Sequence, residues 1–85
     1  MKNKVLVKLR VPEMDQEFDI YLPVNKKIGN IIILLNKAIN EITNDNFKIS
    51  TTNTLYNCFT GERYKVDSLL LETNIRNGTN LVLLS

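Results

Sequence analysis

Histidine is absent from this chain of 85 residues, and cysteine occurs once, at Cys58. The first absence removes the commonest general base and the commonest metal ligand. The second rules out an intramolecular disulfide and a cysteine metal cluster. No cofactor or metal is therefore expected, and neither is catalysis. Charge of one sign is also lacking: 11 Lys and Arg stand against 9 Asp and Glu. The resulting net charge of +2 is too small to argue for nucleic acid or an anionic membrane. The run Ile31-Ile32-Ile33-Leu34-Leu35 falls far short of the roughly 20 residues needed to span a bilayer. Lys8 and Arg10 interrupt the apolar stretch near the start, so no signal peptide is visible and no direct membrane insertion is expected.

What remains is the composition of one small globular unit, 44% apolar and 24% charged, with room for a single core. One domain over residues 1–85 and a cytoplasmic location are the expectation. Val5, Val7, Leu9 and Val11 alternate with Leu6, Lys8 and Arg10, the period-two signature of a half-buried strand. Pro12-Glu13-Met14-Asp15-Gln16 supplies a turn, because proline cannot donate to a sheet ladder. Phe18, Ile20 and Leu22 then alternate with Asp19 and Tyr21, which predicts an antiparallel hairpin closed by Pro23.

From Ile28 the period changes. Ile28, Ile31, Ile32, Leu35, Ala38, Ile39 and Ile42 recur at three- and four-residue spacing, one stripe of a helix. Asn25 is the expected N-cap, and Thr43-Asn44-Asp45-Asn46 ends the helix. Gly29 in the first turn lowers helix propensity by about 1 kcal/mol relative to Ala, so packing of the stripe must hold the helix. Phe47, Ile49 and Leu55-Tyr56-Asn57 read as extended segments. Thr60-Gly61-Glu62 turns into Arg63-Tyr64, which predicts a second, shorter hairpin. Ser68 is the expected cap of a brief helical turn over Leu69 to Glu72. Asn77-Gly78 makes the last turn, with Gly78 at positive φ, before a strand in which Leu81 and Leu83 alternate with Val82 and Leu84. The order β-β-α-β-β-β with one good helix predicts an α+β fold. Its mixed sheet has the first and last strands parallel neighbours and the helix on one face, the β-grasp. The expected core is Val5, Val7, Leu9, Phe18, Ile20, Leu22, Ile28, Ile31, Leu35, Leu81 and Leu83.

At Leu55, Asn57, Thr60, Gly61, Leu70, Glu72, Ile75, Gly78, Leu81 and Leu83 the chain resembles the YukD/EsaB family, and so do its N-terminal hairpin and Leu22-Pro23. These are small ubiquitin-like proteins linked to type VII (WXG-type) secretion systems of Gram-positive bacteria. The likeness covers nearly the whole chain but is mostly a fold pattern. Its more specific parts are Asn-x-x-Thr-Gly and Ile-x-x-Gly-x-x-Leu. The resemblance implies a cytoplasmic, non-enzymatic ubiquitin-like adaptor or regulator whose partners are protein components of the secretion apparatus. No catalytic residues are carried over. No Gly-Gly follows Leu84, so the covalent chemistry of a conjugated modifier or sulfur carrier is not expected. The rival class is an RNA- or ligand-binding β-grasp module, which calls for a basic or aromatic stripe that this sequence shows poorly.

Each candidate residue has a plainer reading. Asp15, Glu17 and Asp19 read as a solvated face, since nothing signals a pocket to perturb them. Cys58, with no histidine to activate it, reads as a small buried or half-buried filler. Lys26-Lys27 lacks the aromatic interleaving of a nucleic-acid platform. Outward apolar residues are more informative. Ile33 lies about 140° around the helix from Ile28, and Leu34 sits at the margin of the buried stripe. Strand alternation turns Tyr56, Val82 and Leu84 outward. If their strands are neighbours they make one apolar patch on the open sheet face, the face ubiquitin uses for most of its partners. That patch is the first candidate for partner binding, with Ile33 and Leu34 second, and a homodimer through it is an alternative use.

Overall fold

A computed structural model describes residues 3–44 and 53–84. Strands β1 (Lys4–Val11) and β2 (Gln16–Pro23) form the expected antiparallel hairpin, joined by a 3-10 turn at Pro12–Met14. Helix α1 (Ile28–Ile42) follows, then β3 (Thr54–Asn57), a 3-10 turn at Leu70–Glu72 and β4 (Asn80–Leu84). The sheet order is β2-β1-β4-β3, with β4 parallel to β1 and antiparallel to β3. One helix packed on a mixed four-stranded sheet is the α+β arrangement that the periodicities imply. Phe47 and Ile49 lie outside the described residues. Arg63 and Tyr64 do not form a strand: Arg63 makes one isolated bridge to Tyr56. Asn57 N to Glu62 O (2.8 Å) and Tyr64 N to Leu55 O (3.0 Å) fasten this segment to β3, but the chain then turns away before a ladder can grow.

Alternation places the core. Val7, Leu9 and Val11 of β1, Leu22 of β2, Leu55 of β3 and Leu81 and Leu83 of β4 are buried against Ile28, Ile31, Ile32, Leu35 and Ile39 of α1. Val5, Phe18 and Ile20 point the same way yet are only half-buried, a correction to the expected core. Val5 lies near the open end of β1, while Phe18 and Ile20 belong to the outermost strand, where one flank has no neighbour among the described residues. Tyr64, Leu70 and Ile75 are core residues that no periodicity announces, since they come from the irregular stretch between β3 and β4. Ile42 continues the helical stripe but is 60% exposed. Periodicity reports which side of a helix faces inward, not how far along its axis the sheet reaches.

Two caps differ from expectation. The N-cap of α1 is Lys27, without a side-chain cap bond, rather than Asn25. Backbone carbonyls of a distant loop take over: Ile28 N donates to Ser68 O (2.8 Å) and Gly29 N to Val66 O (3.0 Å). This satisfies two of the donors a helix leaves open, and it explains Gly29. A Cβ there would lie 3.3 Å from Val66 O, so a side chain would press the capping loop away. Ser68 thus gives its backbone carbonyl to α1, and the turn at Leu70–Glu72 is capped not by Ser68 but by Leu69, whose N–H donates to Glu72 Oε1 at 3.0 Å. At the other end of α1, Thr43 Oγ1 donates to Ile39 O (2.8 Å) and Asn44 takes a left-handed φ of 54°, terminating the helix as expected.

Candidate partner-binding surface

β3 and β4 are neighbours, with Tyr56 opposite Val82 and Thr54 opposite Leu84. Residues opposite one another share a face, and so do residues two apart on a strand, so Tyr56, Val82 and Leu84 stand together on the side of the sheet away from α1. Tyr56 and Val82 are half-buried by their neighbours, and Leu84 is exposed. Arg10 of β1 pairs with Val82, and Arg63 bridges to Tyr56. One row across the face therefore reads Glu17, Arg10, Val82, Tyr56, Arg63, an apolar pair between two guanidinium groups. The next row, Asp19, Lys8 and Asn80, is polar. Beyond it Leu6 and Tyr21 form a separate apolar pair, opposite each other on β1 and β2.

The tight turn after β3 is built around one side chain. Asn57 Oδ1 accepts the N–H groups of Phe59 (2.9 Å) and Thr60 (3.0 Å), and Gly61 N donates to Asn57 O (2.9 Å). Asn57 Nδ2 donates to the Tyr64 hydroxyl (3.1 Å), which donates in turn to Asn74 Oδ1 (2.7 Å). The Asn-x-x-Thr-Gly pattern thus fixes a turn. It also holds Phe59, absent from the sequence-based candidates, 82% exposed at the tip. An isolated aromatic in a turn carries no periodic signal, and only this network shows that its backbone is fixed. Cys58 is exposed rather than a buried filler, because it shares the outward parity of Tyr56 just past the strand end.

Burial pushes the Tyr64 hydroxyl above its ordinary pKa of 10.0; the hydrogen bond from Asn57 opposes that rise and the Glu62 carboxylate adds to it. The folded state therefore binds this proton more tightly than the unfolded chain. The associated stability is complete below the unfolded value and is lost as pH rises past it toward the folded value. Tyr64→Phe is expected to flatten the alkaline slope of stability above pH about 10, read from urea midpoints at successive pH values.

The remaining candidates fall apart in space or lie open to solvent. Asp15, Glu17 and Asp19 are exposed along one edge. Among the described residues no group of His, Cys, Asp or Glu is placed to hold a metal ion, and no helix is long and apolar enough to cross a membrane. Lys26 and Lys27 are exposed before α1. Ile33 and Leu34 are 65% and 50% exposed, about 100° apart on the outer side of α1. A shallow cleft of about 460 Å³ is lined by residues 63–68 and Glu72, and of the row around the apolar pair it includes Arg63 alone.

A scan of protein-family models finds no match for this chain, and neither does a search of curated proteins. Solved structures are similar. A chain of the MycP5-free ESX-5 inner membrane complex matches with a TM-score of 0.79 at 17% identity, over 96% of this chain and 21% of that one. The EccD5 ubiquitin-like domain from Mycobacterium xenopi gives 0.77 at 17% identity, over 95% of this chain and 92% of that one. The ubiquitin-like domain of the Mycobacterium tuberculosis type VII secretion system protein ECCD1 gives 0.75 at 16% identity, over 96% and 98%. The fold is the ubiquitin-like β-grasp.

Proposed function

We propose that this protein is a ubiquitin-like adaptor or regulator of a type VII secretion system, of the YukD/EsaB kind. It works on the cytoplasmic side through non-covalent protein–protein contact. The observation that carries the reading is the Tyr56–Val82 pair on the open sheet face, extended by Leu84 and set between Arg10 and Arg63. Contiguous outward apolar residues are uncommon on a surface without a use, and aromatic and arginine side chains are the usual anchors of interfaces. The arrangement fits a partner segment with an apolar centre and acidic flanks. The secretion setting draws support from the shared fold of ubiquitin-like domains in type VII proteins.

The test is a Tyr56→Ala/Val82→Thr double variant. Neither side chain is in the buried core, so circular dichroism and a cooperative melt should persist. Capture of cytoplasmic secretion components on the immobilised variant should fall at least about tenfold, as expected for loss of a central aromatic anchor. Undiminished capture by a folded variant would reject this face and move attention to Ile33 and Leu34. A drop in self-association alone, seen by sedimentation, would make the patch a homodimer contact instead.

A further inference from the structure

Sheet order leaves β2 at one margin, and the hydrogen-bonding phase shows which of its residues look outward. Leu6 N donates to Asn77 Oδ1 (2.8 Å) and Lys8 N to Thr79 O (3.1 Å), so these residues of β1 bond away from β2. Successive strand residues bond to opposite sides, which directs Val5, Val7 and Leu9 toward their partners Leu22, Ile20 and Phe18. The bond from Val24 N to Asn3 O (3.0 Å) continues that phase by one rung. Glu17, Asp19 and Tyr21 therefore aim their backbone N–H and C=O groups out of the sheet. Pro23 follows the same parity, so the donor it lacks costs no ladder bond. Among the described residues nothing pairs with this margin, whereas the outer side of β3 is engaged by the 62–64 segment.

The side chains along this edge specify what can join it. Glu13, Asp15, Glu17 and Asp19 lie between Arg10 and Lys26 with no lysine or arginine among them. Arg10 and Lys8 stand opposite Glu17 and Asp19 on the inner, β1 side, so the outer flank of β2 itself carries only acidic charge. Edge carboxylates repel a second copy of the same strand, a common guard against edge-to-edge aggregation. They attract a cationic one. On the core side, Phe18 and Ile20 are half-buried, with one flank free of any described residue's strand, a ready surface for aliphatic side chains.

We infer that the β2 edge accepts an extended protein segment as a fifth strand, one in which lysine or arginine alternates with aliphatic residues. Its basic side chains lie beside Glu17 and Asp19 on the open face, and its aliphatic ones lie beside Phe18 and Ile20. Main-chain hydrogen bonds hold it, while the alternating side chains select it. The inference rests on strand phase and edge charge, so it stands or falls apart from the Tyr56–Val82 patch.

The experiment titrates ¹⁵N-labelled protein with an acetylated, amidated heptapeptide alternating Lys and Val, and with its counterpart carrying Glu for Lys. Amide exchange at Glu17, Asp19 and Tyr21 should slow at least about tenfold with saturating Lys–Val peptide, because these donors gain partners. Exchange at Val82 should not change. The Glu–Val peptide should bind at least about tenfold more weakly. Asp19→Pro, which deletes an outward donor, should abolish the slowing. Should that variant fail to fold, Glu17→Lys/Asp19→Lys keeps the strand and should reverse the preference between the peptides. Equal affinity for the two peptides, slowing confined to other residues, or no slowing at about 1 mM peptide each overturns the proposal.

Discussion

Leu81→Ala is expected to cost about 2–5 kcal/mol, with Leu83→Ala in the same range but lower. Both side chains are almost wholly buried, and they differ in surroundings. Leu81 is flanked by Leu9 of β1 on one side and Asn57 of β3 on the other. Its site is pinned from two strands and cannot collapse around a smaller residue. Leu83 has Leu55 beside it on β3, but the described pairing with β1 ends at Val82, so that end of the strand can relax. Ordinary domains have about 0.05–0.15 kcal/mol of stability per residue, so either loss is a large share of the total. Urea denaturation followed by circular dichroism measures the shift, with Ile33→Ala as the exposed control expected within about 0.5 kcal/mol of wild type. A Leu81→Ala midpoint equal to wild type would remove β4 from the core.

Asn57→Ala is expected to be the most damaging change of a polar residue, at about 1–3 kcal/mol. One side chain accepts two backbone N–H groups and donates to a buried hydroxyl. Its removal leaves the Phe59 and Thr60 donors without their acceptor and loosens the link through Tyr64 to Asn74. Asn57→Asp keeps the two acceptor bonds but cannot donate to Tyr64, so it should fall between wild type and alanine at neutral pH. Hydrogen exchange should report the same order locally, with the Phe59 and Thr60 amides fastest in Asn57→Ala. If Asn57→Ala and wild type share a midpoint and the same exchange at those amides, the network does not hold the turn.

Much of this architecture is legible in the chain because it follows from local periodicity. The 2-residue alternation in β1, β2 and β4 and the 3.6-residue stripe in α1 decide which atoms must leave water, and few compact arrangements bury them together. The parallel pairing of β1 with β4 follows from that constraint. So does the outward direction of Tyr56, Val82 and Leu84, since side chains on a strand can point only two ways. The Asn77–Gly78 turn was likewise readable, with Gly78 at a φ of 89°. Its use was not. Asn77 Oδ1 takes the N–H of Leu6 and extends the β1 ladder back beyond the start of β4, a long-range bond that turn chemistry cannot specify.

What only tertiary structure decided are the contacts between residues far apart in sequence. The cap of α1 moved from Asn25 to carbonyls of the 66–68 loop, because a folded loop can satisfy helix donors as well as a side chain can. Tyr64, Leu70 and Ile75 entered the core from a stretch without periodicity, the first two held there by backbone bonds from Tyr64 N to Leu55 O and from Leu70 N to Lys26 O. Phe18 and Ile20 carry the same pattern as Leu22 yet keep part of their surface open, because burial depends on having a neighbour and, among the described residues, β2 has one on a single side. Sequence by itself determined which faces turn inward, a property of each segment alone. The sheet's margins, the loop-built cap and the row that sets Tyr56 and Val82 between Arg10 and Arg63 required the assembled chain, since each depends on which strand lies beside which.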